Sequence, residues 1–268
     1  MNHITQIALF GFVCLAVAGC NSGENDEPIW EQTKITDLAP STNSRDATDK
    51  LLKTINFNVF ILDIPAENAS ALDGLWQVLY RKPLHFKDYD AFAANIFAAG
   101  FGQLELWNTI ADMLRAAGGE RTEKISVLLT DDRPDDIVIG RLSSRQTIFY
   151  TAKSGSTEAT TAGPGKIALR VKAQKIPGQR GVCNLDVVPV FSPPISTSIP
   201  QLADRERAGE LVFTSCRLRA KMSPGDFVLL GPQKYISREV TLGGLLFSRS
   251  RRKPIVRTYL FVCTRIID

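Results

Sequence analysis

Histidine is almost missing from this chain: His3 and His85 are the two in 268 residues. That scarcity excludes a histidine-rich metal site. It also leaves a Ser-His-Asp or Cys-His machine one candidate base, His85, beyond the N-terminal segment. The five cysteines form no C-x-x-C pair, so a zinc ribbon or a thioredoxin-like dithiol has no support. No Gly-Lys-Ser phosphate loop occurs. Gly100-Phe101-Gly102 lacks the third glycine and the strand-before, helix-after setting of a dinucleotide loop. A net charge of +4 is too small to argue for nucleic acid. With 44% hydrophobic and 22% charged residues, wholesale disorder and a polytopic membrane protein are both excluded.

What is present begins with an address. Residues 7–19, IALFGFVCLAVAG, are uncharged, apolar and too short to span a bilayer permanently; they fit the apolar region of a signal peptide. The preceding MNHITQ carries no Lys or Arg. Val17-Ala18-Gly19-Cys20 resembles the bacterial lipobox. The resemblance implies cleavage after Gly19, diacylation of the Cys20 thiol and acylation of the new amino terminus, a firm anchor at about 0.8 kcal/mol per buried methylene. Asn21 stands where an inner-membrane retention signal has Asp, so the resemblance points to the outer membrane. Residues 1–19 are thus read as a lipoprotein signal peptide. The polar, Pro-containing 20–50 reads as a flexible tether.

From residue 51 the periodicity gives an α+β chain, with an αβ domain at 51–123 followed by an antiparallel β-sandwich or partial barrel at 124–268. Ile55–Ile64 reads as a strand. Leu72, Leu75, Trp76 and Leu79 form one helical stripe, capped by Asn68 or Ser70. Leu84–Phe86 is a short strand. Asp88 opens a second helix carrying Phe92 and Ile96. A third carries Leu104, Trp107, Ile110, Ala111 and Leu114 and stops at Gly118-Gly119. Beyond 124 the period is two. Strands are expected at Lys124–Thr130, Asp136–Leu142, Gln146–Thr151, Lys166–Ala173, Val182–Phe191, Glu210–Met222, Phe227–Leu230, Glu239–Phe247 and Ile255–Ile266, separated by Gly/Pro turns.

Charge is segregated along the chain. Residues 20–139 carry a net −9 and residues 140–268 a net +13. That asymmetry provides for matched packing of two parts or a basic face for an anionic partner. Other clusters read blandly. Asp131-Asp132-Arg133-Pro134-Asp135-Asp136 has four carboxylates, but its spacing is not that of an EF-hand and Arg133 repels a cation, so it reads as a solvated loop. Ser250-Arg251-Arg252-Lys253 matches Ser-x-x-Lys in letters, yet lies between two expected strands as a basic hairpin tip. Cys183, Cys216 and Cys263 permit one disulfide and one leftover thiol, or none; as buried thiols they act as small hydrophobes. No residue is assigned a catalytic, cofactor-binding or metal-binding role; the one assigned site is the lipidation residue Cys20.

Several stretches carry a family resemblance. The order strand, Leu72/Leu75/Trp76/Leu79 helix, strand, and helix ending in Gly-Gly resembles the small ring-building domains that precede bacterial outer-membrane secretins. Gly165–Lys172, Ser223–Gly231 and Val240–Leu246 resemble elements of the secretin core. The membrane lip, the amphipathic hairpins and the length of a full secretin are missing. Phe97–Gln103, Ile176–Val182 and Met222–Val228 are similar to uncharacterised lipoproteins of planctomycete-type bacteria, over about residues 50–268. These resemblances imply a lipid-anchored, periplasm-facing outer-membrane protein; the scarcity of histidine and the lack of a nucleophile motif argue separately that it is not an enzyme, and no cofactor is expected. It would act by binding or assembly with an envelope partner or with itself, without nucleic acid, as a secretin-like or secretin-associated component. The alternatives are a monomeric ligand-binding lipoprotein and an envelope hydrolase.

Overall fold

Val59–Leu62 is an unbroken apolar run within Ile55–Ile64, which Asn56, Asn58 and Asp63 otherwise interrupt, and the strand they form, β1 (Thr54–Pro65), is wholly or partly buried at every position. A strand buried on one face alternates; one buried on both reads as a continuous apolar run. The computed structural model describes residues 54–130, 133–194, 209–237, 240–249 and 253–267. The expected signal peptide at 1–19, Cys20 and the expected tether lie outside the described residues, as do Asp131, Asp132, Ser250, Arg251 and Arg252.

After β1 come α1 (Ala71–Val78), β2 (Leu84–Phe86), α2 (Tyr89–Ala94), β3 (Phe97–Gly102), α3 (Trp107–Ala116), β4 (Glu120–Thr130) and β5 (Asp135–Leu142). Then follow β6 (Gln146–Thr151), β7 (Thr157–Ala162), β8 (Gly165–Lys175), β9 (Cys183–Ser192), β10 (Leu211–Val212) and β11 (Leu218–Met222). The last elements are β12 (Phe227–Pro232), α4 (Leu242–Phe247), β13 (Ser248–Arg249) and β14 (Ile255–Ile266). The first sheet runs β3-β12-β14-β1-β4, with β13 beside β14. The second runs β2-β11-β9-β8-β5, with β10 beside β9. Strands β6 and β7 form a separate hairpin. The strand pairings in these sheets are antiparallel, and the class is α+β with sandwiched sheets, as the periodicity predicts.

Alternation along each strand sorts the side chains into two cores. Ile55, Phe57, Val59 and Ile61 of β1 face the second sheet and pack in one cluster with Ile167, Leu169 and Val171 of β8 and Leu185 and Val187 of β9. Ile64 faces the other way. It shares a cluster with Leu72, Leu75, Ile110 and Leu114, and Phe60, Leu62, Trp76 and Trp107 pack against that cluster half-buried. The helical stripe predicted from sequence is therefore the contact of α1 and α3 with the first sheet. Each fully buried aliphatic side chain there contributes roughly 1.5–3 kcal/mol of transfer free energy.

The expected division at 123/124 falls inside β4 and does not separate two bodies. β1 pairs with β14 and β3 with β12, so the first sheet draws strands from both sides of that point. Residues 50–268 cluster as one unit. The change of period marks where helices stop covering the outer layer, not a domain boundary.

Five elements differ locally from expectation. Phe97–Gly102, given no helix or strand by the periodicity, is strand β3. Its Gly100 admits the neighbouring chain, since a Cβ there would lie 2.4 Å from the Leu79 Cβ. Helix α2 starts on Asp88, whose Oδ1 accepts from Ala91 N at 2.9 Å, but it ends at Ala94. Ile96 lies past that end with φ 66° and its carbonyl accepts from Gln233 N at 2.7 Å. Glu239–Phe247 is helical over α4, not a strand. Thr241 Oγ1 accepts from Gly244 N at 3.1 Å, and a Cβ on Gly243 would sit 2.3 Å from the Asn95 carbonyl oxygen. Glu210–Met222 is broken by a 3-10 turn at Thr214–Cys216 into β10 and β11. Neither Asn68 nor Ser70 caps α1 through its side chain; Asn68 Nδ2 donates instead to the Ala117 carbonyl at 3.0 Å, joining the start of α1 to the end of α3.

Candidate binding surface

The inner face of the second sheet is apolar, so its outer face is where polar chemistry collects. In β11, Leu218, Ala220 and Met222 point inward and Arg219 and Lys221 outward. In β8, Leu169, Val171 and Ala173 point inward, while Arg170, Lys172 and Gln174 stand on the outer side. In β9 the outward positions include Asn184 and Asp186.

Register aligns these residues across the strands. His85 of β2 opposes Arg219 of β11, Arg219 opposes Asp186 of β9, and Asp186 opposes Lys172 of β8. The next row is Lys221, Asn184 and Gln174. A cavity of about 350 Å³ lies over the two rows, lined by His85, Lys172, Gln174, Asn184, Asp186 and Arg219. A second of about 350 Å³ continues from it over His85, Phe86, Lys87, Arg217 and Arg219.

Asp186 is the carboxylate of this surface. Arg219 Nε donates to its Oδ2 at 2.7 Å, and Arg217 Nε stands 3.3 Å from its Oδ1. The Arg217 contact is an ion pair without hydrogen-bond alignment, and that buried Nε has no hydrogen-bond partner. Among the described residues, Arg217 and Arg219 meet on Asp186, with Lys87 and Lys172 lining the same cavities and Lys221 in the next row. A cationic groove over a rigid sheet suits carboxylate-bearing or phosphate-bearing partners, which guanidinium groups bind in two-pronged fashion.

A separate cavity of about 420 Å³ lies beyond the β2 edge, lined by Trp76, Arg81, Phe86, Tyr89 and Lys234 among others. The Arg81 guanidinium stands 5.4 Å from the Tyr89 ring centre.

The residues singled out in the sequence are distributed as follows. His85 lies in the groove, exposed, beside Arg219. Asp136 is held by Arg170, whose Nε and Nη2 donate to its two carboxylate oxygens at 2.7 and 2.8 Å; Arg170 Nη1 also reaches Glu210 at 2.5 Å. The acidic stretch is therefore tied at Asp136 into an ion-pair network. Arg249 is not a solvated hairpin residue: its guanidinium donates to the carbonyls of Leu245 at 2.9 Å and Ile139 at 2.6 Å. Cys183, Cys216 and Cys263 are buried thiols, and burial pushes Cys216 up to about 12. Among the described residues no group of three or more His, Cys, Asp or Glu is placed to hold a metal ion, and no helix is long and apolar enough to cross a membrane.

Sequence reasoning did not find Arg217, Arg219, Lys221, Lys172 and Asp186 as a group. The available signal was the cations at outward positions of two strands that are not adjacent in the chain, Arg170 and Lys172 of β8 and Arg219 and Lys221 of β11.

No protein-family model and no curated protein matches this chain, so no family match accompanies the resemblance to planctomycete-type lipoproteins. Among solved structures, it is similar to the InvG secretin domain β-barrel from the Salmonella SPI-1 injectisome base, at 12% identity and TM-score 0.25, over 81% of this chain and 64% of that one. It is also similar to the type IV competence pilus secretin PilQ of V. cholerae, at 12% identity and TM-score 0.24, over 81% of this chain and 61% of that one. The chain thus spans less than two thirds of either.

Proposed function

We propose that this chain is a lipid-anchored, periplasm-facing outer-membrane protein that acts by binding or assembly, as a secretin-like or secretin-associated component. The basic groove on the second sheet is its contact surface for an acidic protein partner or a second copy. The observation that carries this reading is the cross-strand row His85, Arg219, Asp186 and Lys172, flanked by Arg217, Lys221 and Lys87. Among the described residues, Arg217, Arg219, Lys87 and Lys221 cluster by the single carboxylate of Asp186, and a cationic cluster on a rigid scaffold favours steering and specificity of association. A non-enzymatic role fits the same row. The neighbour of His85 is a guanidinium, which neither takes nor gives a proton near neutral pH, whereas a hydrolase needs a nucleophile there.

The test is complex size by light scattering in envelope extract and alone, from low to high salt. Exposed charges are screened beyond roughly 8–10 Å at physiological ionic strength, so a groove-mediated complex should shrink as salt rises. Arg219→Glu with Lys221→Glu should abolish it at all salt concentrations, and His85→Ala should leave it intact. A strict monomer under every condition overturns assembly. The weight then passes to a monomeric ligand-binding lipoprotein, a reading favoured by the aromatic cavity of Trp76, Phe86 and Tyr89 with Arg81 at its wall.

A further inference from the structure

The thiols Cys183 and Cys263 belong to different sheets but meet at one corner of the sandwich. Cys183 opens β9 and is paired with Met222 of β11. From Met222 the chain turns through Ser223, Pro224, Gly225 and Asp226 into β12 of the other sheet. That turn is held on the backbone of Cys263: Gly225 N donates to the Cys263 carbonyl at 2.8 Å and Cys263 N to the Asp226 carbonyl at 3.0 Å. A four-residue link therefore joins the strand partner of one cysteine to the backbone partner of the other. A second tie lies at the same corner. Lys175, the other strand partner of Cys183, donates its Nζ to the Ile267 carbonyl, four residues past Cys263.

Facing sheets ordinarily stand about 10 Å apart, too far for a disulfide, whose Cα atoms lie about 4.4–6.8 Å apart. At this corner the Ser223–Asp226 turn, closed by Asp226 N donating to the Ser223 carbonyl at 3.0 Å, carries the chain directly from the strand beside Cys183 to the backbone of Cys263. Both side chains are 0% exposed and belong to the core between the sheets, and the Cys183 thiol is the largest influence on the Cys263 thiol. Cys216 stands elsewhere. It ends the 3-10 turn before β11 and is separated from Met222 by the whole of that strand, roughly 13 Å at 3.3 Å per residue.

We propose that Cys183 and Cys263 form the disulfide of the mature protein, stapling the two sheets at this corner, while Cys216 remains a thiol. The inference rests on the envelope reading above only for its oxidising compartment, where such bonds persist. The reaction is thiol–disulfide exchange with a small-molecule or protein disulfide as oxidant. One cysteine thiolate attacks a sulfur of the oxidant, forming a mixed disulfide and expelling one thiolate. The second cysteine attacks the mixed disulfide and expels the other. Two electrons pass from the cysteine pair to the oxidant, and the two cysteine protons end on its two thiols. Burial and the neighbouring thiol raise Cys263 far above the usual thiol range, so it is unreactive in the closed sandwich. Exchange therefore takes place before the sheets close.

The test is to unfold the full chain under reducing conditions, remove the reductant and refold with oxidised glutathione. Remaining thiols are then blocked with iodoacetamide in denaturant, and tryptic peptides are read by mass spectrometry. The expected result is one linked pair of peptides, carrying Cys183 and Cys263, with Cys216 alkylated; Cys216→Ser should keep the link. Alkylation of both Cys183 and Cys263, or a link that includes Cys216, overturns the pairing. The same digest on protein extracted from the cell envelope separates the two readings. A link present after refolding but absent there overturns the oxidising-compartment placement, not the pairing.

Discussion

Asp63 and Arg257, 194 residues apart in the chain, face each other across β1 and β14 and share two parallel hydrogen bonds. Arg257 Nε donates to Asp63 Oδ1 at 2.7 Å and Nη2 to Oδ2 at 2.8 Å. Both side chains are mostly covered, at 17% and 12% exposure. Asp63→Ala leaves a largely desolvated guanidinium without its carboxylate. The loss should be about 2–3 kcal/mol, between the small value of an exposed pair and that of a fully buried one, read as a fall in urea midpoint. A matched apolar pair, Asp63→Leu with Arg257→Met, should recover most of it.

Close contact at Gly100 gives a second expectation. Gly100→Ala places a methyl group against Leu79 and should cost about 1–3 kcal/mol by overpacking. Leu79→Gly, which also removes the Cβ nearest the added methyl, should cost about 2–5 kcal/mol or more by leaving a cavity. If the two residues meet as described, the double variant is more stable than the sum of the single losses. Strict additivity in denaturant titrations counts against the contact.

Tyrosine ionisation supplies the pH dependence. Tyr150 donates its hydroxyl to Glu158 Oε2 at 2.6 Å across the β6–β7 hairpin, and that bond, with burial, pushes the phenol up to about 12. Burial raises Tyr259 as well, and its hydroxyl donates to the Leu246 carbonyl at 2.6 Å. Between pH 10 and 12 the folded chain binds more protons than the unfolded one, so stability is full below about pH 10 and falls as pH rises through that window. Spectrophotometric titration should show Tyr150 ionising well after an exposed tyrosine, and Tyr150→Phe should flatten the decline in stability.

Anchoring is testable at one atom. Cys20→Ser should abolish labelling by radioactive palmitate and leave an uncleaved or soluble species. Undiminished labelling of that variant removes the lipoprotein reading.

What could be read in advance follows from how local each cause is. β14 was legible to the residue because Ile255–Ile266 is rich in branched and aromatic residues over its whole length. The Asp88 cap was legible because its hydrogen bond spans three residues. β3 was not, since Phe-Ala-Ala-Gly-Phe-Gly has no branched residue and becomes a strand through β12 and the approach of Leu79. α4 was misread because Val-Thr-Leu-Gly-Gly-Leu-Leu-Phe is buried nearly all round, which erases both periods. The groove was hidden for another reason. Arg219, Asp186 and Lys172 become neighbours only through register between β11, β9 and β8, and single outward charges in strands otherwise mean ordinary solvation.

The place of β14 has a consequence for how the chain is made. It follows the other described strands in sequence, yet lies inside the first sheet between β12 and β1. At roughly 5–20 residues per second of synthesis, the 190 residues between Pro65 and Ile255 take about 10–40 s to emerge. Throughout that interval β1 has no central partner and its apolar faces stay open to solvent. The central pairing of the first sheet therefore waits on the last described strand, and the helices and strands made earlier cannot be locked in place until it arrives.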